Sequence, residues 1–367
     1  MSMLNNPEFN AAMQLDQLSV DELSKLPRYD RTQTYEWNYD HAPDAVELEV
    51  PPVAGTWRFC GLPVSSPLGI PAGPLLNSRW LLYYANLGFD VLVYKTVRSA
   101  YRACYPLPNL LPIGSNTMMT GAERGLPAAD EMQGSWAVSF GMPSKSPVTW
   151  QADVERARKL LPREKILCVS VVGSIQPDWT IDQLADDYAM CAKWAAESGA
   201  DVVEVNFSCP NVSTCDGQLY LNFQSAEIVA ARVRESIGKT PLVVKIGHMT
   251  ERDDVEQFLN AVATHVDGLA MTNSIAATVA AANGELLFDG TKRAICGTVT
   301  RFAAIKQIQL FSDALAARRK SLCLVGVGGA ASAEDVRQFL QHGADAVHIA
   351  TAAMINPAIA LEIRRQL

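Results

Sequence analysis

From Pro67 to the end of the chain, short apolar runs rich in Val, Ile and Leu alternate with longer segments whose apolar residues recur at helical spacing. That alternation predicts repeated βα units and hence a parallel sheet. The strands expected are Leu68–Ala72, Val91–Tyr94, Ile166–Val172, Val202–Val205, Leu242–Ile246, Gly268–Met271, Leu322–Val325 and Ala346–Ile349. Eight is the number that closes a (β/α)8 barrel of the TIM type, and at this length closure is favoured over a doubly wound open sheet. Between the strands, helices are expected over Ile181–Glu197, Ser225–Ser236, Asp253–Ala263 and Ala333–Leu340, the last with Ser332 placed as its N-cap and Asp335 three residues on. Two segments, Glu197–Val205 and Gln341–Ile349, repeat the order helix, glycine, strand. The shared glycine is explained as a left-handed helix stop and carries no functional content.

Two stretches break the pattern. Residues 1–60 are polar, contain Pro27, Pro43, Pro51 and Pro52, and show one short amphipathic candidate at Val20–Leu26; they read as an N-terminal extension to a barrel over residues 61–367. Residues 101–145 are rich in Gly, Pro, Met and Ser and weakly periodic. A connection that long in a compact domain is expected to be a lid or a binding element.

Composition narrows the function classes. The 367 residues are 49% hydrophobic and 19% charged, enough for a large core, and the formal charge of −8 offers no basic field for nucleic acid. The longest apolar runs fall far short of the ~20 residues a membrane span requires, and no signal-like N-terminus is seen. A cytoplasmic protein acting on a small molecule is the expectation. None of the eight cysteines forms a C-x-x-C pair, so no metal or iron–sulfur cluster is expected, and a reducing compartment suits them.

In such barrels chemistry sits where strands end, so the polar residues following each apolar run are the candidates. They are Lys95 and Thr96 after strand two, Asn206 through Asn211 with Cys209 after strand four, Lys245 in strand five, and Thr272, Asn273 and Ser274 after strand six. Individually each has an ordinary reading: a strand-end lysine is usually solvated, a Pro-Asn pair forms turns, and a lone cysteine is a small buried hydrophobe. Lys245, however, interrupts the apolar run LVVKIG, and a buried ammonium demands an anionic or electron-rich partner. After strands seven and eight come Gly326, Gly328 and Gly329, then Ala350 and Thr351, where barrels often hold a phosphate on backbone N–H groups.

These residues carry a resemblance. Asn206–Val212, NFSCPNV, is similar to the strand-four motif of class 1 dihydroorotate dehydrogenases, and the likeness runs through LGIPAG, VYKT, SFGMP, VVKIG, MTNSI, Cys296-Gly297, GVGG and Ala350-Thr351 in order. The resemblance implies FMN as cofactor and oxidation of dihydroorotate to orotate. It further implies that Cys209 exchanges the proton and that Lys245 stabilises the reduced flavin. Ala72, Gly73, Lys95, Thr96, Ser170, Asn206 and Thr272 would contact the flavin. Gly297, Gly326, Gly328, Gly329, Ala350 and Thr351 would hold its phosphate end. Asn206, Asn211, Asn273, Ser274, Gly141 and Met142 would hold the substrate, and a homodimer is a further implication. Cys209, where class 2 enzymes have Ser, and the lack of a membrane-docking segment in residues 1–60 favour the class 1 likeness.

The chain departs from that pattern at Val138, where class 1 enzymes place a substrate-binding Asn, and at Val212–Gly217, which is not the usual loop. An alternative is therefore a flavin-dependent reductase or dehydrogenase of another cyclic amide or enone. Among these, dihydropyrimidine dehydrogenase has its catalytic cysteine later in the loop, which makes Cys215 the rival proton donor. A non-catalytic flavin-binding barrel is the third reading, opposed by the joint presence of Lys95, Cys209 and Lys245.

Overall fold

The computed structural model describes residues 25–115, 117–208 and 215–367. Eight parallel strands close into a barrel: β1 (Leu68–Ile70), β2 (Val91–Val97), β3 (Ile166–Val171), β4 (Val202–Asn206), β5 (Leu242–Lys245), β6 (Gly268–Met271), β7 (Cys323–Val327) and β8 (Ala346–His348). Each pairs with its successor, and β8 pairs with β1. Around them lie α1 (Ser78–Asn86), α2 (Pro147–Leu160), α3 (Ile181–Glu197), α4 (Phe223–Ile237), α5 (Arg252–Val262), α6 (Arg301–Ala317), α7 (Ala333–Gln341), α8 (Thr351–Ile355) and α9 (Ile359–Arg364).

Local chemistry explains the sharper boundaries. Thr180 and Gln183 form a reciprocal capping box that starts α3. Ser332 Oγ accepts the Asp335 N–H at 3.1 Å, and the Asp335 carboxylate accepts the Ala331 N–H at 2.9 Å, which fixes the start of α7. Gly199 and Gly343 end their helices at φ 102° and 103°, the left-handed stop expected of the repeat.

Period-two alternation decides what fills the barrel. Val91, Val93, Ile166, Cys168, Val202, Val243, Ala270, Val325 and Ala346 face inward and pack on Phe59. Phe59 belongs to an antiparallel hairpin, Trp57–Phe59 with Leu62–Val64, and its contacts with strand-starting residues place the hairpin across the N-terminal mouth. The far end of the stretch read as an extension is thus a plug. The candidate helix at Val20–Leu26 lies almost wholly outside the described residues.

The opposite mouth carries a four-stranded sheet of Ile275–Ala277, Arg293–Gly297, Ser135–Val138 and Leu110–Pro112, neighbours in that order. Its strands come from the β2–α2 and β6–α6 connections. None of these strands was foreseen, because runs of three to five residues have no periodicity of their own, and the central pairing joins two segments far apart in the chain. Tyr29 and Tyr35 meet Phe140 edge-on at 6.0 and 6.4 Å between ring centroids, which seats the described N-terminal residues beside this roof.

A buried charge cluster ties the chain ends to the barrel base. Asp90, 2% exposed, receives Arg364 Nη1 at 2.8 Å and Lys165 Nζ at 2.9 Å. Arg364 also donates to the Gly88 and Pro51 carbonyls at 2.9 and 2.6 Å. Removing one member strands the others without water. Arg364→Met is expected to cost about 3 kcal/mol, read as a lower urea midpoint at unchanged slope. Arg79→Met, which breaks the surface pair with Asp44, should cost less than about 1 kcal/mol.

Candidate active site

The upper rung of the barrel is polar because the same alternation that puts Val93, Cys168 and Val243 inside also puts Lys95, Ser170 and Lys245 inside, two residues later. On β4 the inward residues are Asn206 on this rung and Glu204 on the one below. Above this rung and below the four-stranded sheet lies a cavity of about 340 Å³. The end of the barrel is the one expected for chemistry.

The structure brings most of the expected residues to that cavity. Ala72, Gly73, Lys95, Thr96, Met142, Asn206, Lys245, Asn273, Ser274, Gly297, Gly328, Gly329, Ala350 and Thr351 all line it. Four do not. Ser170 lies one layer back, its hydroxyl 3.0 Å from Thr96 Oγ1. Thr272 donates its hydroxyl to Gln307 Oε1. A Cβ at Gly326 would sit 2.4 Å from the Phe339 ring, so that glycine serves the packing of α7 on β7. Gly141, at φ 72°, would meet the Tyr105 ring at 2.5 Å. Cys209 and Asn211 lie outside the described residues.

Hydrogen bonds hold the amide side chains in place. Asn206 Oδ1 accepts the Ser208 N–H at 2.9 Å and its carbonyl accepts Tyr188 OH at 2.9 Å, while its Nδ2 reaches Met142 Sδ at 3.5 Å. Asn273 Nδ2 donates to the Ser208 carbonyl at 3.0 Å, linking the loops after β4 and β6. Gln307 on α6, 2% exposed, accepts from Thr272 and donates to the Gly247 carbonyl at 2.9 Å, locking the loops after β5 and β6 together. Nothing in the sequence marked Gln307; it looks like an ordinary helix residue until its burial is known.

One wall is backbone. A Cβ on Gly329 would lie 2.7 Å from the Gly297 carbonyl, and one on Gly297 would lie 2.2 Å from the Gly134 carbonyl. Three loops therefore meet main chain to main chain, a surface that brings N–H groups within reach of an anion. The roof differs in character: Leu110, Trp136, Val138, Phe140 and Ala294 are apolar. Sequence reading flagged this segment as a binding element and singled out Val138, but Trp136 and Tyr29, which also reach the cavity, carried no motif.

Charge in the cavity is one-sided. Lys95 and Lys245 are 7% and 2% exposed, and no carboxylate is among the described lining residues. Beneath the lining, Glu204 Oε1 lies 3.1 Å from Lys245 Nζ. His348, two residues below Ala350, is stacked on Phe59 at 5.7 Å; burial, with the Lys245 cation adding to it, pushes its pKa down to about 3. Cys296 lines the cavity, and burial raises its thiol to about 12 although Lys245 opposes the shift. No group of acidic, His or Cys residues suited to a metal occurs among the described residues.

With this geometry in place the comparisons are decisive. The family model described as dihydroorotate dehydrogenase matches residues 56–367. The chain belongs to the dihydroorotate dehydrogenase family. It is similar to the dihydroorotate dehydrogenase of Dictyostelium discoideum, 32% identical over 321 residues, 83% of this chain and 86% of that protein. Similarity to the catalytic subunit of dihydroorotate dehydrogenase B (NAD(+)) from Bacillus pumilus is 28% over 185 residues, half of this chain and 57% of that subunit. Among solved structures, DHODH from Eimeria tenella in complex with ferulenol superposes with a TM-score of 0.72 at 16% identity, covering 90% and 88% of the two chains, a likeness of fold. No helix among the described residues is long and apolar enough to cross a membrane.

The low pKa of His348 has a consequence for stability. An unfolded histidine titrates near 6.5, so between that value and about 3 the unfolded chain binds a proton the folded chain refuses. Stability from this group is complete above pH 6.5 and is lost as pH falls, by about 1.4 kcal/mol per unit for one proton. His348→Leu should flatten the acid limb of a stability profile between pH 6 and 4. An unchanged slope would show that His348 is protonated in the fold.

Proposed function

We propose that the chain is an FMN-dependent dihydroorotate dehydrogenase of the class 1 type that oxidises dihydroorotate to orotate. The observation that carries this reading is the cavity itself: two buried lysines, two ordered asparagines and a glycine-built wall meet at the strand ends, with no acid among the described lining residues.

The residues fit FMN. At Gly73, φ 151°, an added Cβ would meet no protein atom within 4 Å, so this wall is open for a flat ring to lie against. Ser274 Oγ is buried without a partner among the described residues, and rotation about χ1 can turn it toward a ligand. The wall of Gly297, Gly328 and Gly329, with Ala350 and Thr351, would hold the phosphate, and Ala72, Gly73, Lys95, Thr96, Asn206 and Lys245 the ring system. Lys245, near an electron-rich edge, favours added negative charge there. FMN bound in this cavity supplies the acceptor for a hydride.

The chain's own chemistry is proton transfer and orientation. Cys209, three residues past Asn206, is assigned as the base that takes the proton from the substrate carbon, a task a thiolate meets nearer neutral pH than a hydroxyl does. Asn206, Asn211, Asn273 and Ser274 present donors and acceptors to a cyclic amide, with Met142 closing over Asn206. The apolar roof keeps water from the reacting carbons. Val138 favours a second reading, a different cyclic amide or enone, because it withdraws one polar contact from the roof.

The test begins with colour: the purified protein should be yellow and release FMN on denaturation. Dihydroorotate added without oxygen should bleach it. Cys209→Ala should retain FMN and slow that bleaching about 10²–10⁴-fold, with Cys215→Ala near wild type. Bleaching abolished by Cys215→Ala alone would transfer the proton to Cys215 and favour the second reading.

A further inference from the structure

Glu204 is a buried acid to which the mechanism assigns no task. It is 1% exposed, sits on the inward face of β4 one rung below Asn206, and places Oε1 3.1 Å from Lys245 Nζ. Register explains the meeting: Asn206 lies opposite Lys245 and Glu204 opposite Val243, so the carboxylate is diagonal to the lysine and beneath it. Lys245 leaves this contact to line the cavity. Resting on the flavin reading above, we propose that Glu204 is the positioning residue that keeps Lys245 cationic and turned toward the cavity.

The surroundings leave Glu204 as the one candidate for this task among the described residues. The other titratable groups facing the pair are Cys168 on β3, His348 on β8, Cys296 in the roof and Lys95 on β2. Burial keeps both thiols protonated and the imidazole neutral through the neutral pH range. Lys95 is a second cation and works against the charge on Lys245. Burial works against the charge of an ammonium 2% exposed, and an anion beside it offsets that cost. Coupling of this kind also makes sense of placement. A carboxylate in the cavity would repel an anionic ligand, whereas one rung lower it holds the cation with the lysine between it and the ligand.

The experiment follows flavin release from the full-length holoprotein by fluorescence on dilution, from pH 6 to pH 9, in wild type, Glu204→Gln, Lys245→Met and the double variant. Glu204→Gln should retain flavin best at pH 6 and lose affinity as pH rises, by up to about tenfold per unit, until it meets the Lys245→Met value. Lys245→Met and the double variant should coincide, with a profile parallel to wild type. A Glu204→Gln profile parallel to wild type, with Lys245→Met impaired, overturns the inference and leaves the flavin reading standing. So does a Glu204 effect that persists undiminished in the Lys245→Met background. A colourless wild type, or Lys245→Met that equals wild type at every pH, overturns the reading beneath it and the inference together. If Glu204→Gln does not fold, Glu204→Asp must show the same pH-dependent loss at smaller size.

Discussion

Closure of eight strands into one barrel is the constraint on which everything else rests. A closed parallel sheet has an inside that must be filled, and period-two alternation hands that interior to every second residue of each strand. The lower rungs are filled by valine, isoleucine, cysteine and alanine against Phe59, with His348 held neutral among them and Glu204 set beneath Lys245. The upper rung spends the same geometric positions on Lys95, Asn206 and Lys245, which no longer pack a core and instead face a cavity, and on Ser170, which lies one layer behind it. One repeating rule thus produces both the hydrophobic support and the polar floor of the site. Both depend on strand register, since a shift of one residue in any strand would turn its inward residues, apolar and polar alike, to the outer face.

The site is completed by parts that obey no repeat. Two long connections, after β2 and after β6, pair with each other through Ser135–Val138 and Arg293–Gly297 and form a roof over the barrel mouth. Their pairing brings Gly134 against Gly297, and Gly297 against Gly329 after β7, so the roof and one wall share a single junction. Gln307 performs a similar service on the other side by bridging Thr272 and Gly247. Contacts of this kind fix the described loops relative to one another and so position the groups they carry.

How much of this the sequence disclosed follows from the same distinction. The expected strands and helices fell within two residues of the observed ends, as at Ile181–Glu197, except that β2 runs on from Tyr94 to Val97; residues fixed by standing at a strand end, such as Lys95 and Asn273, were legible too. Gly326 shows the limit: its place in GVGG suggested a phosphate, but its neighbour is the Phe339 ring, and a glycine required for packing has the same letter as one required for binding. The roof strands, Gln307 and the approach of Tyr29 depend on contacts between distant segments, which local pattern does not encode.

Charge shows how far the whole-chain view can mislead about a site. The chain carries a net −8, yet its cavity is lined by two lysines and no acid among the described residues. The explanation is where the acids lie. Asp90, Asp201, Asp267 and Asp345 stand at the N-terminal ends of β2, β4, β6 and β8 or just before them; two pair with Lys165, Arg364 or Arg158. Asp267 pairs with Arg234, and Asp345 accepts the Leu324 N–H at 2.8 Å. At the base Asp90, Asp201 and Asp267 are matched by cations, whereas the lining of the mouth carries Lys95 and Lys245, a local imbalance that net charge conceals. In a low-dielectric interior the nearest charges dominate, because each interaction falls with distance and the distant ones are screened by solvent. An anionic ligand approaching the mouth therefore meets Lys95 and Lys245 at short range, with Glu204 set behind Lys245.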